Sequence, residues 1–520
     1  MEGASRREYL LLTAICAVAS IGALTFYYRQ GAILLYGDAV AHINIARRVF
    51  DSRTPGLFGL GTVWLPLPHL LDIPFIANDR LWQTGLGASM PSMLAYVAGT
   101  LGIFRLVSGL ALRSAAWIAA LIYALNPNLL YMQATAMTES LYLALFIWTV
   151  VYFAEFVRAA RDDQQRAFRS LAKCGFMVAL AMLVRYDGWF LAAVIGSCAL
   201  GVIWRSPAEA RALLRAWKGF VLLTCTAAIG FLLYNYDLSG NALEFANGPY
   251  SARAIQERSR TPSFPTYPGE NSPRDAALQF LKISRLNVAE GKSEQVLFTL
   301  AIIALLAAIY FARRFLPWAL LWTPVVFYVL CIAWGSVPVY HPEWWPFSYY
   351  NVRYGLQLLP AIAVFTALAF HFLTNFRSTN RVVAAAALLI AISYYAAWQR
   401  TPICLREAHA NGDARMAFEQ ALAAELKKLP PSATLMMDCG AHSGAVQLAG
   451  IPFRRVLRES NPPYWEQALT RPAQSADYVI AFPGDSVDRA VHEFPAGLSQ
   501  VARVGTPSGP GAVIYRAMRP

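Results

Sequence analysis

The sequence predicts an all-α polytopic membrane protein of about 11 transmembrane helices, with a small C-terminal α/β extracytoplasmic domain. Three observations carry that expectation. Of 520 residues, 57% are hydrophobic and only 14% are charged. A soluble domain has about 45–50% apolar and about 25% charged residues. The apolar residues gather in runs long enough to cross a bilayer, which takes about 20 residues. Lys and Arg then sort between alternate connecting segments. A mean hydropathy of +0.40 excludes an ordinary cytosolic enzyme, a disordered chain and a collagen-like chain. Fourteen Trp, 25 Tyr and 29 Phe suit interfacial aromatic belts.

The runs lie at 9–28, 85–104, 114–131, 139–156, 170–185, 188–204, 219–236, 295–312, 315–335, 354–373 and 382–399. The first is read as a span, because no small-residue cleavage site separates it from a mature domain. The run at 170–185 is the weakest, with Lys173 near one end and Arg185 at the other. With the N-terminus inside, the inner segments hold 17 Lys and Arg, while the short outer loops hold only Arg185 and Arg353. The positive-inside rule therefore places the N-terminus in the cytoplasm and, with an odd number of spans, the tail outside. The net charge of +13 becomes a topology signal, and no nucleic-acid partner is expected.

Residues 1–399 then form the membrane module, with long outer loops at 29–84 and 237–294, and 400–520 form the tail. Strand-like runs (Thr434–Asp438, Asp477–Phe482, Ala512–Arg516) alternate there with helix-like ones (Ala414–Leu429, Pro463–Leu469, Ser486–Glu493), which suggests a small α/β domain. No internal repeat of the kind found in inverted-repeat transporters is visible. Five of the seven Cys fall in spans and pack as small apolar residues. Cys404 and Cys439 fall outside, where a disulfide and two thiols both remain open.

Ionisable groups at the membrane boundary of so apolar a chain are the functional candidates. Asp38 opens an amphipathic stretch, 38–51, expected to lie along the outer surface. There it either caps the helix or serves as a general base. His42 follows one helical turn later, and the pair could bind a metal or share a proton. The apolar segment Trp64-Leu65-Pro66-Leu67-Pro68-His69 reads as juxtamembrane. Glu139, at the outer start of the fourth run, is a second acid facing the same side. Arg185, in Arg185-Tyr186-Asp187-Gly188-Trp189, and Arg353, in Asn351-Val352-Arg353-Tyr354-Gly355, break the positive-inside rule. Each either grips a phosphate or, in the case of Arg185, pairs with Asp187. His341 and Glu343, beside Trp344 and Trp345, are lesser candidates for the site rim. There is no phosphate-binding Gly-rich loop ending in Lys-Ser/Thr, no His-Glu-x-x-His and no zinc-type Cys pairing.

These pieces, from Gly37-Asp38-Ala39 through Arg47 to the Arg353 segment, resemble the GT-C superfamily of integral membrane glycosyltransferases over roughly residues 1–400. The glycosyltransferase family 39-like branch, with its protein O-mannosyltransferases and aminoarabinose transferases, is the most similar. The resemblance implies a GT-C-like fold in the bacterial cytoplasmic membrane. It implies inverting transfer of a hexosyl or pentosyl group from a polyprenyl-phosphate donor at the extracytoplasmic face. The acceptor would be a protein or a glycan of the cell envelope. Asp38 matches the first-loop acid, taken as the base, and Glu139 the second-loop acid. Arg353, Arg185 and Tyr354 would hold the donor phosphate, with His42, His69, His341 and Glu343 at the rim. Many relatives carry two adjacent acids in the first loop, whereas Ala39 follows Asp38 here. No cofactor is expected, and a divalent metal is possible but not favoured. The alternatives are a transporter or flippase, which needs ionisable groups near mid-membrane, and a polymerase or ligase of lipid-linked glycans.

Overall fold

The computed structural model describes residues 5–111, 113–461, 464–505 and 511–518. The predicted architecture is present: a helical membrane module and a five-stranded sheet near the C-terminus. Nine helices among the described residues are long and apolar enough to cross a membrane, and the protein is an integral membrane protein. Nine of the eleven apolar runs coincide with these helices. The other two fail for identifiable reasons. Asn126 breaks the run at 114–131: its Oδ1 accepts the Leu129 N–H at 2.9 Å, and Pro127 opens a new helix, leaving Arg113–Ala124 and the short Pro127–Met132. The helix Gln164–Met182 begins among Arg166, Arg169 and Lys173, so no long stretch of it is free of charge.

The chain separates into two compact units. The first comprises Met1–Gln30, Thr62–Pro68 and Pro91–Glu407. Its helices differ sharply in burial. Val352–Leu373 and Glu139–Ala159 are enclosed, whereas Arg6–Arg29 and Ala210–Ser239 expose most of their apolar surface. Exposed side chains such as Leu10, Val18, Leu222 and Leu233 belong in lipid. The two enclosed helices carry Glu139 and Arg353 at their starts.

The second unit comprises Gly31–Gly61, His69–Met90 and Ala408–Pro520. Most of the first long loop therefore folds with the tail, while Thr62–Pro68 belongs to the first unit. Asn44 explains part of this: its Oδ1 accepts from Trp82 Nε1 at 3.0 Å, and its Nδ2 donates to Gln447 at 3.0 Å. Gln447 in turn donates to the Trp82 carbonyl. Gly412 is required because a Cβ there would stand 2.2 Å from the Leu35 carbonyl oxygen. The helix Gly37–Arg48 falls where the sequence predicts one, but it is buried on nearly every side and not only on an apolar face. Its polar residues are matched inside the protein: Arg47, for example, pairs with Asp51 at 2.9 Å and Asp79 at 2.5 Å.

The sheet runs β2-β1-β3-β5-β4, with β1 (Leu435–Met437), β2 (Val456–Leu457), β3 (Tyr478–Ala481), β4 (Leu498–Gly505) and β5 (Gly511–Ala517). β1 pairs in parallel with β2 and β3, while β5 is antiparallel to β3 and β4. Met436, Leu457, Val479, Val487 and Val491 form part of its core. Pro463, which begins one predicted helix, lies outside the described residues; Tyr464–Thr470 follows it. Cys404 falls in the first unit and Cys439 in the second, and both side chains are buried.

Candidate active site

Within the first unit, four of the flagged residues converge. Glu139 is the first residue of its helix, and its carboxylate is fully buried. It does not cap that helix. Its Oε1 instead stands 3.4 Å from Arg185 Nη1 and 3.4 Å from Arg353 Nε, and its Oε2 is buried without a hydrogen-bond partner. One carboxylate oxygen thus lies between two guanidinium groups.

Arg185 occupies the turn between Gln164–Met182 and Asp187–Trp204. Its Nε reaches Asp187 at 3.2 Å, so the pairing with Asp187 is real. The side chain nevertheless extends past it. Nη1 donates to Thr138 Oγ1 at 3.1 Å, and Nη2 to the Tyr328 hydroxyl at 2.8 Å. That hydroxyl donates to Asp187 Oδ2 at 2.7 Å, closing a ring of polar contacts at one end of the helices. Tyr354 lies against both cations: the Arg185 and Arg353 guanidinium carbons are 5.0 and 5.2 Å from its ring centre. Such contacts favour Arg, whose flat group stacks while its edge still donates.

Arg353 stands in the first turn of a 3₁₀ helix, Val352–Leu358, at the head of an enclosed span. Asn287 Nδ2 donates to the Val352 carbonyl at 2.7 Å. Gly355 packs so closely on this neighbour that a Cβ would lie 2.4 Å from the Ile283 carbonyl oxygen. Glu407, which sequence reasoning did not single out, accepts the Val352 N–H at 2.9 Å and the Arg353 N–H at 3.3 Å.

His341 and Glu343 have partners of their own. His341 Nδ1 accepts the Glu343 N–H at 3.3 Å, and burial pushes its imidazole down to about 4. Glu343 pairs with Lys282 at 2.7 Å, which also meets Glu294. Asp38, His42 and His69 belong to the second unit. Asp38 is half-buried in the first turn of its helix, but the N-cap position is Tyr36, so Asp38 is not the cap. His42 Nδ1 and His69 Nε2 are 2.8 Å apart and both side chains are buried, so one ring donates to the other. Among the described residues, no three His, Cys, Asp or Glu side chains gather as a set that could hold a metal ion.

Residues 81–225 match the family model described as dolichyl-phosphate-mannose-protein mannosyltransferase. A comparison with curated proteins returns no match. Among solved structures, ArnT from Cupriavidus metallidurans in the apo state is 12% identical, with 97% of each chain covered and a TM-score of 0.60. ArnT from the same organism bound to undecaprenyl phosphate is 13% identical, with 98% of each chain covered and a TM-score of 0.61. The Archaeoglobus fulgidus oligosaccharyltransferase in complex with Zn and sulfate is 14% identical, covering 96% of this chain and 72% of that one, with a TM-score of 0.51. Likeness at this identity is a statement about architecture, and it agrees with the resemblance in the sequence: the chain is an integral membrane protein with the GT-C fold.

Proposed function

We propose that the protein is an inverting membrane glycosyltransferase that moves a hexosyl or pentosyl group from a polyprenyl-phosphate donor to a protein or glycan acceptor. The reaction is assigned to the extracytoplasmic face of a bacterial inner membrane. The observation that carries this reading is the pair of guanidinium groups, Arg185 and Arg353, gathered on the buried Glu139 carboxylate with Tyr354 against both. Paired arginines at helix ends suit a phosphate anchored in lipid, whose headgroup lies at the same depth.

Asp38 takes the proton from the acceptor hydroxyl or amine. The acceptor heteroatom bonds to the anomeric carbon as the bond from that carbon to the phosphate oxygen breaks. The phosphate leaves with the electron pair, and Arg185 and Arg353 stabilise its charge. Glu139 sets the spacing of the two arginines. A transporter or flippase is the weaker reading, because Glu139, Arg185 and Arg353 sit at helix starts and turns and not at mid-span.

The test is reconstitution with radiolabelled polyprenyl-phosphate sugars. Transfer by the wild type and its loss in Asp38→Asn are expected; full transfer by Asp38→Asn overturns the base assignment. Transfer that survives EDTA supports a metal-independent reaction, and its abolition overturns that part of the reading.

A further inference from the structure

We propose that Glu407 is a positioning residue for the donor: it fixes the direction in which Arg353 presents its guanidinium. The inference deepens the proposed function and rests on its reading of Arg353 as a phosphate ligand.

The helix bearing Arg353 starts without the usual local cap. The first N–H groups of a helix have no partner within it, and a nearby Ser, Thr, Asp or Asn side chain ordinarily accepts from them. Asn351 occupies that position in a left-handed conformation, with φ at 56°. Its side-chain amide donates to the Pro338 carbonyl at 3.0 Å, and it makes no capping bond. Glu407 does the capping from 54 residues downstream. Its two oxygens accept the N–H groups of Val352 and Arg353 at 2.9 and 3.3 Å. The side chain is 1% exposed, so water does not compete for those bonds.

The same oxygen that accepts from Val352 stands 3.7 Å from Arg353 Nη1. One rigid carboxylate therefore fixes both the backbone and the side-chain charge of Arg353. Glu139 meets the guanidinium at Nε, so it lies between two buried acids. On the other side, Asn287 holds the Val352 carbonyl. A helix start is itself attractive to anions. Because Glu407 already fills this one, an incoming phosphate is directed to the guanidinium and not to the backbone N–H groups.

The test measures transfer against donor concentration for the full-length protein carrying Glu407→Gln, Glu407→Ala, Arg353→Ala or both Glu407→Gln and Arg353→Ala. Glutamine keeps the shape but turns an amide toward an N–H donor. Glu407→Gln is expected to raise the donor KM about tenfold, with kcat within about twofold. Glu407→Ala raises it further. In the Arg353→Ala background, Glu407→Gln adds nothing to the donor KM. Thermal unfolding of each variant separates this from simple loss of folding. The proposal fails if Glu407→Gln lowers the melting midpoint but leaves the donor KM unchanged while Arg353→Ala raises it. It also fails if the two effects multiply. If Arg353→Ala leaves the donor KM unchanged, the phosphate reading itself falls, and the role of Glu407 with it.

Discussion

Replacing Glu139 with glutamine removes one negative charge from between two cations and leaves the volume unchanged. The consequence can be worked from the distances. At 3.4 Å from each guanidinium, and with an effective dielectric of about 20, each attraction is about 5 kcal/mol. Much of this offsets the cost of burying the carboxylate, and removing one member of a buried pair costs about 3–5 kcal/mol net. Arg185 keeps Asp187 and Arg353 keeps Glu407, so the lower end, about 3 kcal/mol, is expected. A donor phosphate changes the balance, because it supplies negative charge to the same two groups. Part of the loss is then recovered on binding. Recovery of about 1.4 kcal/mol is tenfold tighter donor binding in the variant. The assay is the unfolding midpoint of both proteins in detergent, titrated with a polyprenyl phosphate. The variant should melt lower without lipid and gain more from it. An equal gain in both proteins, or an unchanged starting midpoint, refutes the idea that Glu139 and the phosphate serve the same guanidinium groups.

Three further outcomes follow from other parts of the structure. Asp38→Asn should lower kcat by about 10²–10⁴-fold, as loss of a general base does, while donor-induced stabilisation stays at the wild-type level; loss of both would assign Asp38 to binding. Gly355→Ala drives a Cβ to 2.4 Å from the Ile283 carbonyl oxygen. It should displace the turn carrying Arg353, raise the donor KM and lower the melting midpoint; wild-type values in both would remove that close approach from the argument. His341 titrates near 4 in the folded chain because burial opposes its charged form. The unfolded imidazole titrates near ~6.5, so between those values the unfolded chain binds more protons and stability falls as pH drops from ~6.5 toward ~4. His341→Gln should flatten the midpoint-versus-pH curve in that window, and an unchanged slope refutes the assignment.

The spans were legible because a helix crossing lipid must be apolar over its whole length. The two runs that did not become candidate spans failed at Asn126-Pro127 and at the cluster of Arg166, Arg169 and Lys173, where local chemistry outweighs mean hydropathy. In the tail, three strands stand out as β-rich runs. β2 has two residues, too few for a pattern, and β4 is a largely exposed edge strand with weak alternation. Arg185 and Arg353 were visible because they contradict the charge rule for their loops, and Glu139 because it opens an apolar helix. Tyr328 and Thr138 carry no such mark, since a phenol in an apolar span and a threonine beside a helix start are ordinary residues. Glu407 was hidden for another reason. It sits in Arg406-Glu407-Ala408-His409, which reads as a solvated stretch, and its partners are 54 and 55 residues away. His341 and Glu343 show the converse: closeness to Arg353 in sequence led to a separate cluster around Lys282.

The charge balance of the cluster bears on how such a site would turn over. At formal charge, Arg185 and Arg353 face three carboxylates, Glu139, Asp187 and Glu407. Two bare guanidinium groups would be costly to bury and would hold both the resting phosphodiester and the departing monoester tightly. Grip that is equal on substrate and transition state lowers KM without raising kcat. Carboxylates already seated on the arginines reduce the gain from a resting phosphodiester. The departing phosphate monoester carries an additional negative charge and gains more from the same donors. Under the transferase reading, the acids loosen the hold on the resting donor, and the arginines supply the gain that grows as charge develops on the leaving phosphate. The acids also provide a competing partner for each arginine when the lipid phosphate must leave.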